Sequence, residues 1–124
     1  MSDFLTAEEV ISIQDLPFED VVIPEWNNKK VRVMSMNAEE SSSFGLKMSD
    51  INSDEAYRYT KINMFRNELL SRTLFNDNNE KLFDTPEKVA LLGKKNPKVL
   101  KRLSDIAVRL NGIGEDAKEV AIKN

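Results

Sequence analysis

The chain has 124 residues, a net charge of -3 and 31% charged side chains, which predicts one domain large enough to bury a core without covalent staples. It holds neither Cys nor His, so disulfides, thiolate metal sites and the usual general base near neutral pH are excluded, and no cofactor site is expected. No apolar run approaches the roughly 20 residues of a membrane span, and the opening MSDFLTAEEV carries acid where a leader carries base, so a soluble protein of a reducing cytoplasm is expected.

In chain order, Thr6 with Glu9 three residues on is a capping box, which predicts a short helix within 1–14, stopped by Asp15, Leu16 and Pro17. EDVVIPEW and VRVMSM alternate with period two around NNKK, which predicts a β-hairpin over 19–36. Asn27 and Asn28 accept positive φ at its turn, Pro24 lies at the end of an edge strand, and Trp26 covers the core side. Asn37 and Glu40 predict a capped helix over 38–48 with Phe44 and Met48 on one side, followed by a loop from Ser49 to Ile51.

The organising element is a central helix over 53–75, capped by Asn52 with Glu55. Tyr59, Ile62, Phe65 and Leu69 recur at helical spacing, Leu70 and Leu74 widen the stripe, and Glu68 with Arg72 forms an i,i+4 pair. NDNNEK then ends the helix, and Leu82 with Phe83 tucks the loop back onto the core. Thr85-Pro86 opens a helix over 86–92 with Val89 and Leu92 inward and Gly93 as its stop. Asn96-Pro97 opens another over 97–111, whose buried stripe is Val99, Leu103, Ile106 and Leu110, ending at Gly112. The stretch 115–124 is expected to be a frayed tail. The fold class is therefore mainly α (α+β): a single small helical domain over 1–124 with one N-terminal β-hairpin packed on a long central helix.

Charge is split along the chain, with residues 1–60 at -7 and 61–124 at +4, which suits head-to-tail self-association or an oppositely charged partner. The loop from Asn76 to Glu87 places oxygen-bearing side chains at several EF-hand positions, but Lys81 replaces the Gly of the sharp turn and Asn76 is uncharged, so a polar loop is expected and no metal site. The 86–110 segment carries Lys94, Lys95, Lys98, Lys101, Arg102 and Arg109 and invites comparison with a helix-turn-helix DNA regulator. The acidic chain, Pro97 in the turn and the lack of base-reading Asn or Gln on the second helix weigh against nucleic acid. Paired carboxylates sit in first turns, where capping explains them, so no catalytic residue is expected and the protein is read as a non-enzyme. What remains is protein binding, with Leu100, Ala107 and Ile113 as expected spare apolar surface beside the last long helix, and Trp26 as a further partner-binding candidate.

The order of these pieces resembles the tail assembly chaperones of long-tailed bacteriophages. The resemblance runs through DLP at Asp15 to Pro17, the hairpin VVIPEW and VRV, the capped NAEE, LFNDNNEKLF, TPEKVALLG and the closing VLKRLSDIAVRLNGIGEDA. It covers nearly the whole chain, and its specificity comes from the order of short motifs. It implies a protein of the host bacterial cytoplasm that binds the tape measure protein, keeps it soluble until the tail tube polymerises, and self-associates as a homo-oligomer, with the tail tube protein as a further partner and no membrane contact. In that family a longer form is commonly made by ribosomal frameshifting, for which an A-rich run coding Ile122 to Asn124 would serve. Asn27 and Asn28 depart from the Gly that such hairpins often carry.

Overall fold

The computed structural model describes residues 3–51 and 58–113. The expected Asn52 cap, the Tyr59 and Ile62 side chains and the tail over 115–124 lie outside the described residues or side chains.

The first helix, α1 (Ala7–Ser12), starts on the expected box: Thr6 Oγ1 accepts from the Glu9 amide while the Thr6 amide donates to Glu9 Oε1. Strands β1 (Phe18–Ile23) and β2 (Lys29–Met34) form the hairpin, antiparallel with Val21 opposite Val31. Pro24–Trp26 make a 3-10 turn between them, and Asn27 and Asn28 take φ of 61° and 58°. Asn supplies what Gly supplies elsewhere, because its short polar side chain tolerates the left-handed region. Alternation puts Val31 and Val33 on the inner face and leaves Phe18 and Val22 outward.

Helix α2 (Ala38–Ile51) is longer than expected, and the segment Ser49 to Ile51, read as a loop, is its last turn. Asn37 Oδ1 accepts from the Glu40 amide, but the reciprocal half of the predicted box is replaced, since the Glu40 carboxylate meets Arg72 and Lys81.

Helix α3 (Arg58–Thr73) ends two residues before the expected Phe75, and Leu74–Phe75 form a third strand, β3, against β2. The turn behind it explains this: Asn76 Oδ1 accepts from the amides of Asn78 and Glu80, Asn79 takes φ of 61°, and the Leu82 amide reaches back to the Leu74 carbonyl. The sheet order is β1-β2-β3, with β2 central.

Helix α4 (Pro86–Leu91) starts on Thr85 as expected. Gly93 is not its left-handed stop; the chain tightens into a 3-10 turn over Leu92–Lys94. Helix α5 (Pro97–Asn111) runs from the Asn96 cap to Gly112 at φ 65°, a conformation a side chain would strain.

Helix α5 packs on both α3 and β2, while α2 and α4 pack on α3. The core lies between these layers, built by Ile23, Val33, Leu69, Leu70, Leu74 and Leu103, all fully buried. Arg109 to Glu19 (2.6 Å) and Arg102 to Glu25 (2.8 Å) tie α5 to the hairpin, and Asn111 Oδ1 accepts the Met36 amide at 2.8 Å.

Candidate functional site

Two of the residues expected to offer spare apolar surface do not. Leu100 and Ala107 are wholly buried, because α5 is gripped on two sides, by α3 and by β2, and its covered face is wider than one stripe. Ile106 and Leu110, assigned to that stripe, are only half-buried against the core. Trp26 and Ile113 are likewise half-buried and packed on the core cluster.

The exposed apolar surface is concentrated at the other end of the chain. Of the ten exposed large apolar residues among the described ones, seven fall between Phe4 and Val22: Phe4, Leu5, Val10, Ile11, Ile13, Phe18 and Val22. Ile11 is 82% exposed, and no residue of α1 is buried. Ala7, Val10 and Ile11 stand at i, i+3 and i+4, so they share one helix face, with Leu5 before it and Ile13 after it. That spacing was available in the sequence; what it does not reveal is that none of the α1 side chains is buried. Phe18 is partly engaged, with the Arg32 guanidinium 4.5 Å from its ring centroid.

A second concave feature is polar. A cleft of about 790 Å3 opens between α2, α3 and the segment leading into α4, with Phe83, Pro86 and Val89 on one wall and Glu40, Arg72 and Lys81 on the other. Arg72 donates to Glu40 Oε2 at 2.7 Å, to Glu68 Oε2 at 3.3 Å and to Ser43 Oγ at 3.3 Å, while Lys81 donates to Glu40 Oε1 at 2.6 Å. The Lys81 hydrogen bond, reinforced by the charges of Lys81 and Arg72, holds the Glu40 carboxyl below its ordinary value of 4.5. Lys47 closes the network on Glu68 at 2.7 Å. Three cations share two carboxylates in this network, which braces α2 against α3 and the loop that carries Lys81.

The oxygens of the 76–87 loop serve their own backbone and neighbouring cations. Asn79 Oδ1 accepts from Arg32, and Asp84 pairs with Lys88. Among the described residues no cluster of three or more metal-ligating side chains occurs, and no helix is long and apolar enough to cross a membrane. In the segment considered for DNA, Arg102 and Arg109 are engaged with Glu25 and Glu19 and Lys101 with Asp105, which leaves Lys94, Lys95 and Lys98 as its exposed basic tip.

No protein-family model and no curated protein matches the chain. Among solved structures it is similar to the tail assembly chaperone of bacteriophage HK97, with a TM-score of 0.64 and 19% identity over 83% of this chain and 94% of that one. At this identity the likeness shows a shared fold, mixed α+β and mainly helical.

Proposed function

We propose that this chain is a phage tail assembly chaperone that binds the tape measure protein, keeps it soluble and assists polymerisation of the tail tube. The observation that carries the reading is the extent of the shared fold, which takes in nearly all of the HK97 chaperone rather than a local motif. The exposed apolar segment from Leu5 to Val22 supports it, because side chains of this kind at the surface gain free energy only by meeting another apolar surface. A long helical client presents such a surface along its length. The function needs no catalytic group or cofactor, and it belongs in the cytoplasm of the infected host. The acidic first half and basic second half support self-association, with the tail tube protein as a further partner.

The test is co-expression with a tape measure protein. That protein should move from the pellet to the soluble fraction and co-purify with the chain. An unchanged pellet, or retention on duplex DNA that weakens steeply with salt, would overturn the reading.

A further inference from the structure

The geometry points to the segment Leu5 to Ile13 as a docking arm for a helix of another protein whose apolar stripe is flanked by Lys and Arg. This deepens the chaperone reading and rests on it for the nature of the client.

A helix of six residues does not hold itself together in water, since isolated helices shorter than about 12 residues are marginal even with ideal composition. Helix α1 has its capping box and the Ser12 hydroxyl donating to the Glu9 carbonyl, but no side chain is buried and no cation reaches its carboxylates among the described residues. Its apolar face of Val10 and Ile11, extended by Leu5 and Ile13, is the one contact surface it has to offer.

Charge then selects the partner. The chain has seven Asp and Glu and no Lys or Arg before Lys29. Glu19, Asp20 and Glu25 are answered within the fold by Arg109, Arg32 and Arg102. Asp3, Glu8 and Asp15 have no such partner among the described residues, and Glu9 serves the cap. An apolar stripe edged by unanswered carboxylates is complementary to an apolar stripe edged by cations.

A second copy of this chain fits less well. Two arms face to face would set carboxylates against carboxylates. The basic tip at Lys94, Lys95 and Lys98 carries only Leu91 as an exposed large apolar neighbour in the adjoining helix, too little to cover Leu5, Val10, Ile11 and Ile13 together. The other exposed large apolar residues outside the N-terminal segment among the described residues, Leu46 and Met64, lie on separate helices.

The experiment titrates the full chain into two labelled amphipathic helical peptides of about five turns, identical in their Leu/Ala stripe and flanked by Lys in one and by Glu in the other. Fluorescence anisotropy should show binding of the Lys-flanked peptide, weakening with added salt, and at least about tenfold weaker binding of the Glu-flanked one. The double variant V10D/I11D should lose the Lys-flanked peptide by more than about tenfold while its melting curve is unchanged. The double variant E8K/D15K, which spares the Glu9 cap, should bring the Glu-flanked peptide into preference, a reversal that a merely structural role for α1 would not produce. Equal binding of the two peptides, or a preference that E8K/D15K leaves in place, overturns the inference. So does a wild-type oligomer in light scattering that V10D/I11D dissociates, which would assign the arm to a second copy. If V10D/I11D still solubilises the co-expressed tape measure, the arm is refuted and the chaperone reading stands; if the arm binds the peptide but the wild-type chain never solubilises that client, the reverse holds.

Discussion

Helices α1 and α5 each begin on a side-chain cap and each carry apolar residues at helical spacing, yet α5 buries Val99, Leu100, Leu103 and Ala107 while α1 buries nothing. Caps and periodicity describe how a helix starts and which face is apolar; they do not say whether anything inside the chain meets that face. Partners separate the two: α5 packs on both α3 and β2, whereas no side chain of α1 is buried. The core has thus been completed by α5, and α1 is left with its apolar side chains facing solvent.

The comparison is broken most forcefully at Leu103, which lies fully buried on α5. Leu103→Ala should lower unfolding stability by about 3 kcal/mol in urea titration, through lost transfer energy and the cavity left behind. The same truncation at Ile11 should leave the curve in place. If Leu103→Ala were silent, α5 would not be the completing element.

Helix α2 falls between these extremes, because it has one buried aromatic, Phe44, edge-on to Phe65 at 5.5 Å, with Met48 half-buried on the core, and is otherwise held by the ion pairs of Arg72, Lys81 and Lys47. The Arg72 side chain is only 15% exposed and meets Glu40, Glu68 and Ser43 together; Arg72→Ala leaves Glu40 to Lys81 and Glu68 to Lys47 but removes the link between them, and should cost about 1 kcal/mol. Arg72→Lys should recover little, since an ammonium cannot reproduce the planar fork. Thermal melts of the three proteins side by side give the answer.

A smaller effect is expected from acid. The folded-state value of Glu40 lies below 4.5, so the unfolded chain takes up its proton first as pH falls. Its stabilising contribution is complete above that range and is lost as pH drops through the folded-state value. Asp20, Glu25 and Asp84 are lowered in the same way, chiefly by hydrogen bonds from Arg32, Arg102 and Lys88, so Glu40→Gln should flatten only part of the acid limb of a Tm-against-pH curve. A limb left unchanged by Glu40→Gln would remove the carboxylate from the brace.

Much of the fold was legible because its signals are local. The Thr6, Asn37, Thr85 and Asn96 caps, the two Asn residues of the hairpin turn and the end of α5 at Gly112 all lie where short-range chemistry puts them. Strand β3 was not legible, since Leu74 and Phe75 are too few to show a period of two and continue the preceding helical stripe. Leu100 and Ala107 were misplaced for a related reason: how wide a face α5 buries depends on α3 and β2, which are remote in sequence. The apolar character of α1 was readable in Val10 and Ile11, but its exposure is a property of the assembled layers.

In V10D/I11D two apolar side chains that touch no core residue are replaced by carboxylates, and substitutions at such sites usually change stability by less than about 0.5 kcal/mol. The urea midpoint and slope should therefore match those of the wild type, in contrast to the displacement expected for Leu103→Ala. Added negative charge beside Glu8 and Glu9 is mildly unfavourable to α1 itself, so a small loss of helix signal in circular dichroism is compatible with an unchanged midpoint. A midpoint lowered as far as that of Leu103→Ala would mean that α1 packs on the body in solution, and the contrast between the two helices would disappear.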